Sequence, residues 1–420
     1  VYNKEVLANG TRLVSEDIPH VRSVSLGIWV GCGSRFEEPQ EHGVSHFLEH
    51  LLFKGTANRT AKEIAESLES VGGHLNAFTT KEYTCFYAKV LDEHLDLAVD
   101  VLTDMFFHSL MTEDDIAKEK RVVLEEISMY EDSPDELVHD LFNQAAWPDH
   151  PLGRPILGTV ESIGSLDRER VLDFYRRHYV PSQTVIAAAG NVDHKALRDR
   201  LTPIFSAPGG QPPVNMITTP LASAAVKFHE KDTEQVQICV GVPGLSQEDD
   251  DIYVLHVLNN VLGGGVSSRL FQEIREERGL AYSVYSYPTS HIDSGLFVVY
   301  AGTSPANAPE VTELLVREMA KIKADGITEG ELARTKEQIK GSLFLGLESV
   351  SSRMSRLGKS EICFNRIITP EEVIDRVARV TLGDIHRVAN KLFRKELFSL
   401  TTVGPEPPDL DFRGLLSSVI

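Results

Sequence analysis

"TEDDIAKEK", residues 112–120, and "TEGELARTK", residues 328–336, stand 216 positions apart in a chain of 420 residues. The same offset joins Ser165–Leu166 to Thr381–Leu382. One offset shared at two separate places, half a chain apart, points to duplication of a whole domain rather than to a short-period solenoid. The length agrees, because about 200 residues per domain is what one hydrophobic core usually supports. The expected fold class is α+β: two homologous domains, each a mostly antiparallel sheet packed with helices.

Working outward, the first half opens on strand-like runs, "TRLVSED" (11–17) and "SVSLGIWVGCGS" (23–34), followed by a helical stretch through residues 42–50 and another over 61–71. "GGHLNAFTTKEYTCFYAKV" (72–90) reads as one long strand with glycines at its start. Helices follow at about 94–107, 112–131, 134–145 and 165–179, and a short apolar strand, "TVIAAAG" (184–190), closes the half. Thr112 with Asp115 makes an N-terminal cap for the strongest of these helices. "SAPGGQPPVNMITTP" (206–220) is rich in Pro and Gly, lacks periodicity and reads as the linker between domains 1–205 and 221–420. The element order then recurs, with strands "QVQICVGVPG", "LAYSVYSYP" and "GLFVVYAGT" and helices around 250–262 and 267–278.

Composition excludes several classes. A formal charge of −20 and no basic clustering argue against nucleic-acid binding, which needs Lys and Arg to neutralise phosphates. Cys32, Cys85, Cys239 and Cys363 lie far apart without CxxC pairing, which fits neither a disulfide framework nor a thiolate zinc site and suits a reducing compartment. No apolar run approaches the roughly 20 residues of a membrane span, and the polar start "VYNKEVLANGTRLVSED" has no apolar leader core. The expectation is a cytoplasmic protein without membrane or nucleic-acid partners.

The chemistry concentrates in "HGVSHFLEH" (42–50), with three histidines and a glutamate in nine positions. Residues four apart on a helix project about 40° from one another, so His46 and His50 can hold one ion between them. Glu49 sits beside them as a carboxylate base, the inverse of the HExxH order with the same chemistry. Two neutral imidazoles suit Zn²⁺, and a catalytic zinc needs a third protein ligand. His42 is too distant along the axis, about 12 Å from His50 at 1.5 Å per residue, and Gly43 marks the helix entrance, so His42 is read as structural. The better candidate lies in "KEKRVVLEEISMYED" (118–132): Glu119 and Glu126 are seven apart and share a face, whereas Glu125 is turned about 100° away. The repeat supplies an internal control. At the 216 offset Glu119 becomes Thr335 and Glu126 becomes Ser342, and the second half has no HxxEH. Both parts of the site are missing from the copy together. The glycine run 263–265 is followed by no lysine and reads as a tight turn, not a phosphate loop.

"HFLEH" followed by Glu126, 76 residues after His50, together with the duplication, resembles the pitrilysin family of inverzincin metallopeptidases, which includes insulin-degrading enzyme and the mitochondrial processing peptidase. The short-subunit, bacterial processing-peptidase-like branch is the most similar. The resemblance implies His46, His50 and Glu126 as zinc ligands, Glu49 as general base and Glu119 as a carboxylate orienting a ligand histidine. "REERGLAY" is similar to the family's second signature, implying that Arg275 and Tyr282 polarise the scissile carbonyl. The residues alone admit a plainer reading of helix-end dipole, Gly279 turn and packed tyrosine. "HLNAFTTKEYT" resembles the family's substrate strand, with Asn76 and Ala77 meeting the peptide through main-chain pairing. It implies a zinc endopeptidase for short or unfolded peptides, and a homodimer, because family members enclose the site between two two-domain halves. The alternative is a non-catalytic peptide-binding or structural subunit of the same family; such members typically lose motif residues that this chain retains.

Overall fold

The computed structural model describes residues 2–206, 210, 217–405 and 410–420, so the greater part of the 206–220 linker lies outside the described residues. Two compact units form: Val1–Ile127, Pro155–Ile217 and Leu345–Ile368 make the first, and Ser128–Arg154, Thr218–Phe344 and Thr369–Ile420 the second.

The first unit is built on β1 (Tyr2–Val6), β2 (Arg12–Asp17), β3 (Ser23–Val30), β4 (His74–Thr79), β5 (Thr84–Leu91) and β6 (Thr184–Gly190), in the order β1-β2-β6-β3-β5-β4. The second has β7 (Val226–Glu230), β8 (Val236–Pro243), β9 (Ala281–Ser290), β10 (Gly295–Thr303) and β11 (Ser399–Gly404), in the order β7-β11-β8-β10-β9. Setting β1 aside, the orders match strand for strand. Each sheet has one parallel pair, β2–β6 and β7–β11, and is otherwise antiparallel. The duplication visible in the letters is therefore a duplication of topology.

Period-two alternation decides which face each strand side chain meets. On β3, Val24, Leu26, Ile28 and Val30 enter the main core beneath the helices, while Trp29 points to the opposite face. The unbroken apolar run of β6 follows from burial on both sides. The second face is covered by the helix Val350–Phe364, whose Met354 and Leu357 pack on Trp29, Val185 and Ala187. In the second unit, the equivalent face is covered by Val138 and Phe142 of the helix Pro134–Ala146, on Cys239, Val298 and Tyr300. These covering helices begin 216 residues apart, so the units differ from contiguous halves by the reciprocal exchange of one helix. Size matching is reciprocal too. Gly358 on one helix leaves room for Trp29, since a Cβ there would lie 2.1 Å from the indole. In the other unit Phe142 fills the space that Gly241 leaves, its Cζ 2.7 Å from where a Cβ would be.

Three local expectations change. The 72–90 stretch is a hairpin of β4 and β5, because the Thr80 hydroxyl accepts from the Tyr83 and Glu82 amides at 3.1 and 3.3 Å and folds a turn without glycine. The helix expected over 267–278 is π-helical at Phe271–Glu277. Finally, Ser165 ends a short helix, Val160–Ser165, and Asp167 caps the next, so its counterpart Thr381 caps a helix start that Ser165 does not.

Candidate metal centre

The first unit carries α1 (Val44–Leu51), α2 (Ala61–Glu69), α3 (Leu95–His108) and α4 (Glu113–Glu131, its end passing into the second unit). Gly43 opens α1 at φ 93°, a left-handed conformation that glycine adopts without strain. Glu37, only 3% exposed, completes the cap: its carboxylate oxygens accept from the Gly43 and Ser45 amides, both at 2.8 Å. Burial outweighs these bonds and pushes the Glu37 carboxyl up to about 7. His42 lies outside the helix, buried, its Nε2–H donating to the Pro155 carbonyl at 2.7 Å. It takes no part in the centre.

On α1, His46 and His50 lie one turn apart, their rings meeting edge-on with centroids 4.6 Å from each other. α4, capped by Thr112 and Asp115 as expected, brings Glu126 to them. The Glu126 Oε2 atom is 3.7 Å from His46 Nε2 and 3.5 Å from His50 Nε2. Among the described residues these three make the one group of metal-ligating side chains, with ligand atoms all within 4.8 Å of one another. Two zinc bonds of about 2.1 Å at a tetrahedral angle place ligand atoms about 3.4 Å apart, so the donor set fits that ion. Burial lowers the His46 pKa to about 4, with His50 adding to the effect, and keeps the imidazole in its neutral, metal-binding form.

Around this trio stand two carboxylates with different tasks. Glu119, 3% exposed, accepts from His50 Nδ1 at 3.1 Å, which leaves Nε2 as the lone-pair nitrogen facing Glu126. Its other oxygen meets the Lys54 ammonium at 2.7 Å. Glu49 accepts from the Thr79 hydroxyl at 2.5 Å; burial raises its carboxyl pKa, with opposing contributions from that bond and from His50. Glu125 is exposed, as its helical phase requires.

Thr79 ends β4, and β4 is the edge strand of its sheet. Ala77 N–H is met by the Asn76 side-chain oxygen at 2.8 Å instead of a ladder carbonyl. Asn76 and Ala77 thus sit on the sheet's edge strand, the one that touches Glu49. In the second unit, the Arg275 guanidinium lies over the rings of Phe271 and Tyr282, at 4.7 and 4.3 Å, and donates to the Tyr282 carbonyl at 3.1 Å. Tyr282 is 77% exposed, so the packed-tyrosine reading fails. Gly279, at φ 63°, makes the turn that reverses the chain between Arg275 and Tyr282.

Two further polar side chains of the centre, Lys54 and Thr79, lie outside the HxxEH motif. Lys54 had a usable cue, standing four residues after His50 on the continuation of the ligand face. Thr79 had none.

This fold, duplicated and carrying an HxxEH pair with a distal glutamate in one copy only, is that of a peptidase class. Residues 12–160 match the family described as Insulinase (Peptidase family M16), and residues 165–339 the one described as Peptidase M16 inactive domain. A Bacillus subtilis protein named an uncharacterized zinc protease, YmxG, is 46% identical over 397 residues, covering 94% of this chain and 97% of its own length. A Streptomyces coelicolor protein, also named an uncharacterized zinc protease, is 44% identical across 96% of this chain and 89% of its own. Among solved structures, a protease from Helicobacter pylori shares the fold at a TM-score of 0.91 and 23% identity, covering 96% of this chain and all of that one. The chain belongs to the M16 family of peptidases. Among its described residues no helix is long and apolar enough to cross a membrane.

Proposed function

We propose that the protein is a zinc-dependent endopeptidase acting on short or unfolded peptides. The observation that carries this reading is the convergence of His46, His50 and Glu126 beside a buried carboxylate, Glu49, in the half that matches the peptidase description. The relatives named zinc proteases support the choice of metal.

His46, His50 and Glu126 hold the ion, which when bound supplies Lewis-acid polarisation and acidifies a water. Glu119 fixes the tautomer of His50. Glu49, its acidity weakened by burial, takes a proton from the attacking water and returns it to the departing amine. Thr79 occupies one oxygen of Glu49 and holds the carboxylate in place. The outer edge of β4 at Asn76 and Ala77 pairs with the substrate main chain, a mode that tolerates varied side chains. Arg275 and Tyr282 donate to the carbonyl oxygen as it gains charge. The enclosing chamber is a homodimer in which each chain supplies this pair to the metal centre of its partner.

An unstructured peptide incubated with the protein tests the reading. Cleavage that a chelator stops and zinc restores is expected. Cleavage indifferent to chelator, or none with one zinc per chain bound, contradicts it.

A further inference from the structure

We propose that Lys54 is a positioning residue of the metal centre: through Glu119 it presets His50, and with it α1, for the ion. This rests on the zinc reading above.

Three features carry it. α1 ends at Leu51, but the chain does not leave the helix direction at once, since Phe53 and Lys54 amides donate to the His50 and Leu51 carbonyls at 3.2 and 3.1 Å. Lys54 therefore continues the face on which His46 and His50 lie. Glu119 divides its two oxygens, Oε1 to Lys54 at 2.7 Å and Oε2 to His50 Nδ1 at 3.1 Å. Finally, Glu119 is buried to 3% exposure on the helix that carries Glu126, while the Lys54 side chain remains 36% exposed.

The physical consequence is direct. A buried carboxylate needs a partner charge, and breaking such a pair leaves the remaining group uncompensated. Glu119 bonded to His50 alone would be a one-point contact about which the carboxylate and ring could swing. With Lys54 on the other oxygen the carboxylate plane is fixed from two sides. Both contacts run between the end of α1 and α4, so they set the register of the two ligand-bearing helices before any ion arrives. Outer partners of metal-binding histidines typically change metal affinity by roughly 10–100-fold when removed. Lys54 touches neither ion nor substrate in this account; it acts through Glu119.

The test is zinc affinity, measured by competition with a chromogenic chelator on the full chain, alongside the melting temperature of the metal-free protein. Lys54→Met and Lys54→Gln should each weaken zinc binding roughly 10–100-fold, and Lys54→Arg should recover most of it. In a Glu119→Gln background the Lys54→Met effect should disappear, since the two residues act in series. Unchanged affinity in both neutral variants overturns the proposal, as does an equal loss with and without Glu119. Two neutral substitutions keep the test from depending on one variant that folds. A wild-type chain that binds no zinc would instead refute the zinc reading itself.

Discussion

At the scale of single residues, the side chains that could hold an ion stand apart from bystanders that share their chemistry. His42 and His46 are four apart in the sequence, yet one donates to a backbone carbonyl and the other faces Glu126. Glu126→Ala should therefore lower bound zinc sharply in metal analysis, and His42→Ala should leave it near wild type in whatever fraction folds. Glu37 offers a second test. Its folded pKa, about 7, lies above the ordinary 4.5, so between these values the folded state holds a proton that the unfolded state has released. Its contribution to stability is present below pH 4.5 and is lost as pH rises through 7. In metal-free protein, the stability of wild type relative to Glu37→Gln should fall over that window by up to about 3 kcal/mol, at 1.36 kcal/mol per unit. A difference that grows with pH would show that the two amide bonds, not burial, control this carboxyl. The histidine pair was legible because helical period is a sequence quantity, whereas seven-residue spacing placed Glu119 and Glu126 on one face without choosing between them; that choice came from the family resemblance. Thr79 was not legible, because its approach to Glu49 depends on how β4 docks against α1.

At the scale of elements, the main result is the exchange of covering helices. Each sheet is apolar on both faces, and the local helices cover only one. Gly358 and Phe142 occupy the same place in the repeat and solve opposite packing problems, one under Trp29 and the other over Gly241. Gly358→Ala should cost about 1–3 kcal/mol by overpacking, read as a lower denaturant midpoint, although alanine is the better helix former. A neutral or stabilising effect would mean the indole has room to move. Most strands were readable from apolar runs or alternation, but β1, β7 and β11 were not among those expected. The β4–β5 turn was not readable, since a threonine hydroxyl does what glycine or proline usually signals. Nor was the exchange itself, because an amphipathic helix pattern says that a face is apolar without saying which sheet it meets.

At the scale of the whole molecule, the second half keeps the topology of the first without its HxxEH motif or its two helix glutamates. Thr335 and Ser342 stand where Glu119 and Glu126 stand in the first. The proposed division of labour between chains has a direct consequence. Glu49→Gln mixed with Arg275→Ala under subunit exchange should regain about a quarter of wild-type activity, because half of the dimers are mixed and each has one complete site. No recovery, with exchange verified, would place both signatures in the service of one chain. The most direct measurement of all sets zinc content beside peptide cleavage in Glu49→Gln. Close to one zinc per chain with cleavage abolished is the predicted result, since in the proposed mechanism Glu49 moves protons and holds no metal. Substantial chelator-sensitive turnover in that variant would contradict the assignment of Glu49 and the mechanism built on it.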